Sequence, residues 1–458
     1  MLDGNASVSG TRGSRDRVMV AVLALALALR LAFAFGYWVD KNLTRDEREY
    51  LSLARSLTAG HGFVYDDAVR TGPVDPFGRA PGYPLFLALV GGGLQISESV
   101  PASVKIAQAI LGTLGVLLVG WLCARLAGRR AGIAAASVGA CYPPLIWVSA
   151  YAFSEALFWP LGLLVAWRFD GLVTGPGPKA QGPRGTLGLA LLCGLLTGIA
   201  VLVRPAMLFF IPLAGLWLIY KRRLAAVVVF ALGTIVVVAP WTIRNYSHYG
   251  RFVLVASEGG VTFWTGNHPL ARGEGDLAAN PDLKREQLAL RARYPALSEE
   301  EMEPIYYRDA LDWITAHPFD WILLEARKVF YLVVPIGPSY TVHSPRYYLT
   351  SMISYGVVLV LAIAGFVRLG RDRGRTPGLW LLAGSAVLVC LVFFPQERFR
   401  TPVIDPTLAV LAGAFWLKKD DRRQPSVSEA SAARAWGWGP ARVRKDDRGQ
   451  GERPPRAT

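Results

Sequence analysis

Long blocks of apolar residues alternate with short polar segments along most of the chain. Many of these blocks reach the roughly 17 to 25 residues that an α-helix needs to cross the hydrocarbon core of a bilayer. We therefore predict an all-α polytopic membrane protein with about ten spans. The predicted spans cover about residues 18–38, 103–123, 131–150, 151–167, 186–203, 206–220, 224–241, 350–367, 378–394 and 403–417.

Two polar segments, about residues 39–102 and 242–349, are much longer than the other connections, and we call them the first and second polar segments. In the first, Thr44-x-x-Glu47 has the form of a capping box, which marks the start of a helix. Apolar residues follow at helical spacing, so residues 46–57 are predicted to form an amphipathic helix on the membrane face.

The short connections between the predicted spans suggest how the chain is oriented. Every second connection is basic, and cytoplasmic loops of membrane proteins carry such an excess of lysine and arginine. Both polar segments are then expected on the outer side. The predicted organisation is a cytoplasmic tail (1–17), a transmembrane domain (18–417) and a disordered cytoplasmic tail (418–458). The apolar stretch 82–95 is short and glycine-rich, so we expect a surface or re-entrant segment there.

One basic residue, Arg30, falls inside the first predicted span. A charged side chain is costly in hydrocarbon unless it is paired or faces a polar cavity. The sequence leaves two interpretations of Arg30 open. One is a role beside a polar cavity, and the other is an ion pair between helices or a snorkelling side chain.

The composition agrees with a membrane protein. Of the 458 residues, 52% are hydrophobic and 18% are charged, against roughly a quarter charged in ordinary soluble domains. Basic cytoplasmic loops account for the net charge of +15, and we expect no nucleic acid partner. The four cysteines lie in apolar blocks without a CxxC pair, so we interpret them as buried hydrophobic residues. With no cluster of metal ligands in the sequence, no metal and no cofactor are expected.

Acidic and arginine side chains gather in the polar segments and at the predicted outer ends of spans. An arginine guanidinium binds phosphate through two parallel charge-assisted hydrogen bonds. A carboxylate within hydrogen-bond reach of a hydroxyl group can act as a general base. The candidate residues are Asp46, Glu47, Arg79, Glu155, Arg204, Arg244, Arg398 and Arg400.

These residue types fit one kind of reaction. Nucleotide-activated sugars are absent outside the cytoplasm, so an activated sugar donor there is a polyprenyl phosphate sugar. Its leaving group is a phosphate that already carries negative charge, and it needs cations more than a general acid. One carboxylate base and a few arginines would therefore suffice for a single displacement with inversion at the sugar carbon.

Most of these candidates also have a structural interpretation. Glu47 would complete the capping box, and Asp46 would favour the helix N-terminus through its negative charge. Arg79 would anchor a loop at the membrane interface, while Arg398 and Arg400 would anchor the end of a span. A basic turn on the outer side runs against the positive-inside rule, however, and this favours a functional role for the last two.

Several short motifs follow one another in order over about residues 18–417. They are Arg45-Asp46-Glu47-x-x-Tyr50-x-x-Leu53-Ala54, Gly60-x-Gly62, Arg79-x-Pro81-Gly82-Tyr83-Pro84, Ser154-Glu155-Ala156-Leu157-Phe158, Arg204-Pro205, Pro240-Trp241-x-x-Arg244-Asn245, Gly266-Asn267 and Arg398-Phe399-Arg400-x-Pro402. In this order they resemble the GT-C membrane glycosyltransferases of glycosyltransferase family 39 type. That family includes dolichyl-phosphate-mannose protein mannosyltransferases and is similar to bacterial lipid A aminoarabinose transferases.

The resemblance implies roles for particular residues. In such enzymes an aspartate in the first outer loop is the catalytic base, and Asp46 occupies that place, with Glu47 as an adjacent supporting acid. A basic residue before a proline-rich turn helps to hold the lipid phosphate, and Arg79 matches it. The expected phosphate-binding residues are Arg79, Arg398, Arg400, Arg204 and Arg244.

The predicted function is inverting transfer of a sugar from a polyprenyl phosphate-linked donor to an acceptor hydroxyl. The reaction is expected on the non-cytoplasmic face of the cell membrane, among membrane lipids, with a lipid, a glycan or a protein as the acceptor. Two alternatives stay open. One is an O-antigen polymerase or ligase, which also uses outer arginines. The other is a secondary transporter or flippase, a class that favours sequence repeats and polar sites at the membrane midplane.

Overall fold

The structure is a computed structural model of the chain, and the regular elements that it describes are all helices. The described residues are 4–66, 69, 78–94, 98–174, 178–275, 277, 279–334 and 344–417. The tail predicted over 418–458 lies outside them. The all-α architecture expected from the sequence is confirmed for the described part of the chain.

The α-helices are numbered here in chain order, and short turns of other helix types join some of them. A π-helical turn (Phe33–Tyr37) extends the first helix, and 3-10 turns cover Pro205–Phe209 and Gly370–Arg375. The α-helices are α1 (Gly4–Ala32), α2 (Arg45–Thr58), α3 (Gly82–Leu89), α4 (Ala102–Cys141), α5 (Pro143–Trp147), α6 (Glu155–Thr174), α7 (Pro178–Val203), α8 (Phe210–Tyr220), α9 (Leu224–Tyr249), α10 (Gly259–Gly266), α11 (Pro281–Ala292), α12 (Glu299–Ala316), α13 (Pro318–Val333), α14 (Pro345–Leu369), α15 (Pro377–Val392), α16 (Glu397–Arg400) and α17 (Ile404–Ala414).

Among the described residues, six helices are long and apolar enough to cross a membrane. They lie in α1, α4, α6, α7, α9 and α14. Three shorter apolar segments, formed by α8 with its 3-10 turn, α15 and α17, lie at the remaining predicted spans. The boundaries differ in places. Helix α1 begins at Gly4, inside the predicted tail, and α9 continues to Tyr249, beyond the predicted end of its span at residue 241.

Helix α4 contains two predicted spans because its chain turns back at Gly128. Gly128 has a φ of 84° and a ψ of 169°, which is not helical and is a backbone conformation that glycine adopts readily. The two legs pack closely, since a Cβ atom built on Gly132 would lie 2.6 Å from the carbonyl oxygen of Gly120. Small residues permit such close approach of helix backbones in membranes. The two legs therefore occupy the places of the second and third predicted spans.

The predicted amphipathic helix is present as α2. The Thr44 side chain accepts the N–H of Glu47, and the Glu47 side chain accepts the N–H of Thr44, which completes the capping box. Helix α2 packs on α3, where the rings of Tyr50 and Tyr83 meet edge to face at 5.0 Å. With eight residues, α3 is too short to cross a bilayer. It lies in the stretch that was expected to form a surface or re-entrant segment.

The first and second polar segments contact each other at one end of the bundle. The backbone N–H of Gly78 donates to Ser257 Oγ at 2.7 Å, and the N–H of Ser257 donates to the Gly78 carbonyl at 2.9 Å. Ser257 Oγ in turn donates to Glu300 of α12 at 2.9 Å. These bonds fix the loop that carries residue 79 against the second polar segment, and the candidate site forms beside this junction.

Arg30 is fully buried between α1 and α4. Its guanidinium donates to the carbonyl oxygens of Ala26 at 3.0 Å and Gly139 at 3.4 Å. Its Nε atom has no hydrogen-bond partner among the described residues. Arg30 forms no ion pair within the described chain and does not line the cavity described below. Backbone carbonyls rather than a carboxylate therefore accommodate this charge.

Candidate active site

A cavity of about 700 Å³ lies beside the junction of the two polar segments. Its lining includes four of the predicted site residues, and each comes from a different part of the chain. Asp46 lies in the first turn of α2 and Arg79 just before α3, while Arg204 follows α7 and Arg398 lies in α16. The structure thus brings together residues that are separated by more than 350 positions in the sequence.

Both carboxylate oxygens of Asp46 are held by arginines. Oδ1 accepts a hydrogen bond from Arg79 Nη2 at 2.8 Å, and Oδ2 accepts one from Arg398 Nη1. Burial opposes ionisation of Asp46, but the two guanidinium groups outweigh it and hold the pKa of the carboxyl well below its ordinary value of 3.8. Asp46 is therefore an ionised but fully engaged carboxylate in this structure.

Arg79 is the most heavily paired arginine of the site. Glu49 Oε2 accepts from its Nε at 2.9 Å and from its Nη2 at 2.6 Å, and Glu258 Oε2 accepts from its Nη1 at 2.7 Å. Burial alone would lower the pKa of Arg79, but the surrounding carboxylates raise it well above the ordinary value. The Glu49 side chain is 1% exposed, whereas that of Glu258 is 37% exposed. Glu258 is thus the partner that a ligand could replace.

A second carboxylate, Glu155, joins the other two arginines. Glu155 Oε1 forms an ion pair with Arg204 Nη1 at 2.8 Å and accepts a hydrogen bond from Arg398 Nε. Arg204 Nη1 also donates to Ser154 Oγ at 3.2 Å, and the Arg398 guanidinium lies 4.1 Å from the centre of the Phe153 ring. Within the described part of the chain, the Nη2 atoms of Arg204 and Arg398 make no hydrogen bond. These N–H groups leave donor capacity for an anion in the cavity.

Glu47 lies outside this cluster. Its Oε2 accepts the backbone N–H of Thr44 at 2.8 Å, and its Oε1 accepts the backbone N–H of Ala152 at 2.9 Å. Its side chain is buried, and both carboxylate oxygens accept backbone N–H groups. These contacts agree with the interpretation of Glu47 as a helix-capping residue. It fixes the start of α2 against the loop before α6.

Arg400 and Arg244 also lie outside the cavity lining. The Nε of Arg400 donates to Asp405 Oδ1 at 2.9 Å, and its guanidinium lies 3.9 Å from the centre of the Tyr355 ring. Arg244 donates to the carbonyl oxygen of Phe63 at 3.2 Å and stacks on neighbouring aromatic rings. The structure does not bring these two predicted phosphate-binding residues to the arginines around Asp46.

Two carboxylates of the cluster, Glu49 and Glu258, were not among the predicted site residues. Glu49 carried a usable signal, because it follows Asp46 by three positions and residues three apart share one face of a helix. Glu258 carried none, since it lies in a loop whose position depends on the contact between Ser257 and Gly78. Within the described residues, no group of three or more His, Cys, Asp or Glu side chains is placed to hold a metal ion.

Comparison with known proteins identifies the fold. No protein-family model and no curated protein matches the sequence. Two structures of the oligosaccharyltransferase of Archaeoglobus fulgidus are similar. The one tethered with an acceptor peptide has a TM-score of 0.55 at 15% identity, over 91% of this chain and 53% of that chain. The one in complex with Zn and sulfate has a TM-score of 0.52 at 14% identity, over 86% of this chain and 48% of that chain.

These similarities define the class: the chain is a polytopic all-α membrane protein with the GT-C fold. It spans about half the length of the archaeal proteins that it matches. ArnT from Cupriavidus metallidurans bound to undecaprenyl phosphate also aligns, at 16% identity over 87% of this chain and 77% of that chain. Its TM-score of 0.39 is too low to support an argument. The narrower resemblance to glycosyltransferase family 39 stays a prediction.

Proposed function

We propose that this protein transfers a sugar from a polyprenyl phosphate-linked donor to an acceptor hydroxyl on the non-cytoplasmic face of the membrane. The observation that carries the proposal is the arrangement around Asp46. Asp46 and three arginines line a single cavity at the end of a membrane bundle, together with the further carboxylates Glu258 and Glu303. A carboxylate base and a group of arginines are what this chemistry needs. The GT-C fold, shared with an oligosaccharyltransferase, supports the reaction class.

The donor phosphate would bind to the arginines of the cavity. Arg204 and Arg398 offer N–H groups that are free within the described chain, and Arg79 would add Nη1 once Glu258 moves aside. Guanidinium groups bind phosphate through charge-assisted hydrogen bonds, and they would stabilise the charge that develops on the leaving phosphate. The apolar part of the donor would remain in the membrane.

Donor binding would also release the base. In the structure Asp46 is bonded to Arg79 and Arg398, and this lowers its pKa and its basicity. A phosphate that draws these guanidinium groups towards itself weakens both bonds and lets the pKa of Asp46 rise. Asp46 would then accept the proton of the acceptor hydroxyl. The hydroxyl oxygen forms a bond to the anomeric carbon while the bond from that carbon to the phosphate oxygen breaks, and the phosphate keeps the electron pair.

The remaining predicted residues take supporting roles in this proposal. Glu47 would hold the start of α2, and through it Asp46, by its bonds to Thr44 and Ala152. Arg400 and Arg244 would fix the loops that carry other site residues. Neither would touch the donor phosphate, because both are bonded outside the cavity lining.

The experiment follows label from a panel of labelled polyprenyl monophosphate sugars in membranes that contain the protein. We expect one donor to lose its sugar to an acceptor in the membrane, with inversion at the anomeric carbon. Membranes without the protein are the control. Movement of the intact donor across the bilayer without transfer would instead indicate a flippase. Transfer of a glycan chain from a polyprenyl diphosphate would indicate a polymerase or ligase.

A further inference from the structure

The walls of the cavity differ in charge. Arg79, Arg204 and Arg398 are the basic residues among the described residues that line it. Arg79 and Arg398 bond Asp46, and Arg204 is linked to Arg398 through Glu155. Another wall of the cavity is formed by the second polar segment, and it meets the arginines where Glu258 pairs with Arg79. Its lining residues include apolar side chains of residues 252–255 and the polar side chains of Glu258, Thr262, Gln287, Glu303 and Tyr307. This wall, which we call the acidic wall, contributes no cation from the described residues.

Glu303 of α12 is the carboxylate of the acidic wall that lacks a cation. The other carboxylates of the cavity lining, Asp46 and Glu258, are paired with Arg79, whereas Glu303 forms no ion pair within the described chain. Its Oε1 accepts the backbone N–H of Gly260 at 3.0 Å. Burial, together with repulsion from neighbouring glutamates, raises its pKa. Backbone N–H groups at the start of α10 stabilise this carboxylate, and hydroxyl or amine groups of a ligand in the cavity would add further donors.

We propose that the acidic wall binds the acceptor, and that this acceptor presents hydroxyl or amine groups there rather than an anionic group. The proposal rests on the proposed function, because it takes the arginine wall as the donor site. An anionic acceptor would face repulsion at Glu303 and would compete with the donor for the arginines of the same cavity. A neutral polyol would donate hydrogen bonds to Glu303, and an amine would add a charge-assisted bond.

The test compares three small ligands that differ only at carbon 6 of the sugar. They are hexyl glucoside, hexyl 6-amino-6-deoxyglucoside and hexyl glucuronide, measured by equilibrium binding to the full chain in detergent at pH 8. We expect the amino sugar to bind about tenfold more tightly than the glucuronide, which is the size of one modest electrostatic contact. The neutral glucoside should lie between them.

Two variants separate a charge effect from a structural one. Glu303→Gln keeps a side-chain oxygen that can accept the Gly260 N–H, but it removes the charge, and we expect it to abolish most of the preference for the amino sugar. The exposed Glu286 on the neighbouring helix does not line the cavity, so Glu286→Gln should leave the preference unchanged. Equal affinities in the wild type, a preference for the glucuronide, or a preference that survives Glu303→Gln would each overturn the proposal.

Binding of undecaprenyl phosphate is measured in the same preparations. The wild type and Glu303→Gln should bind it equally, because the arginine wall is unchanged. Loss of this binding in Arg398→Ala would support the donor site independently of the acceptor ligands. A wild type that prefers the amino sugar but does not bind undecaprenyl phosphate would contradict the proposed function while leaving the ligand class of the acidic wall intact. Failure of the acceptor proposal and failure of the proposed function therefore give different results.

Discussion

Residues one or two positions apart in α2 have different surroundings, and only some of them join the cluster of arginines and carboxylates at the cavity. Asp46 faces the arginines while Glu47 caps the helix and bonds to Ala152, and Glu49, three residues after Asp46, joins the cluster. Helical periodicity explains this division, since residues three apart share a face. The sequence alone singled out both adjacent acids, because a capping glutamate and a catalytic one look identical before the packing of α2 is known.

The two glutamates that hold Arg79 should have opposite effects on donor binding. Glu258→Gln removes the exposed competitor for Nη1, so undecaprenyl phosphate should bind up to about fivefold more tightly, within the range of an exposed ion pair. Glu49→Gln removes the buried partner that orients the guanidinium, so the same ligand should bind more weakly and the protein should melt at a lower temperature. Equilibrium binding and thermal melting in detergent measure both effects. The assignment is wrong if both variants change the affinity in the same direction.

The pKa of Asp46 predicts how pH affects stability. A carboxyl whose folded-state pKa is lowered contributes stability that is present above its unfolded pKa and is lost as pH falls through the folded value. The melting temperature of the wild type should therefore exceed that of Asp46→Asn at neutral pH, and the difference should persist down to about pH 4 and shrink below it. Glu286→Gln serves as the control and should show no such difference. A difference in melting temperature between the wild type and Asp46→Asn that disappears between pH 7 and pH 5 would contradict the lowered pKa of Asp46.

At the scale of elements, hydrophobic length predicted the positions of the spans well because it is a local property of the chain. Hydrophobic length did not predict the exact start of each helix or the direction of its polar side chains, because both depend on tertiary packing. Residues 151–154 lie outside any helix, and the predicted fourth span begins only at Glu155, whose carboxylate joins the cluster. Arg398 and Arg400 illustrate the same limit. Positions two apart on a helix point to nearly opposite sides, and the sequence does not tell which side faces the cavity.

The α4 hairpin gives a test of element packing. Gly132→Ala places a methyl group 2.6 Å from the backbone oxygen of Gly120, so the two legs must separate. We expect a loss of roughly 1–3 kcal/mol of stability, as for other overpacked cores. Gly188→Ala in α7 is the matched control, because its added methyl group meets nothing within 4 Å and alanine favours a helix. Thermal melting in detergent distinguishes them, and equal melting temperatures would argue against the close contact of the legs.

At the scale of the whole molecule, the site depends on contacts between distant parts of the chain. The membrane helix α6 supplies Glu155, the residue after α7 is Arg204, and the short helix α16 supplies Arg398. The first polar segment supplies Asp46 and Arg79, and the second supplies further lining residues, Glu258 and Glu303 among them. The order of motifs along the chain, together with the predicted spans, indicated the GT-C fold before the structure was known. The acidic wall was not predicted, since its residues carry no motif and meet the arginines only in the folded chain.

The central claim is that Asp46 accepts the proton in sugar transfer from a polyprenyl phosphate donor. The most direct measurement is release of label from that donor in membranes that contain equal amounts of inserted wild type, Asp46→Asn or Glu286→Gln. Loss of a general base costs about 10²- to 10⁴-fold in rate, so we expect transfer by Asp46→Asn to fall within that range and transfer by Glu286→Gln to be unchanged. Full activity of Asp46→Asn in correctly inserted protein would contradict the account.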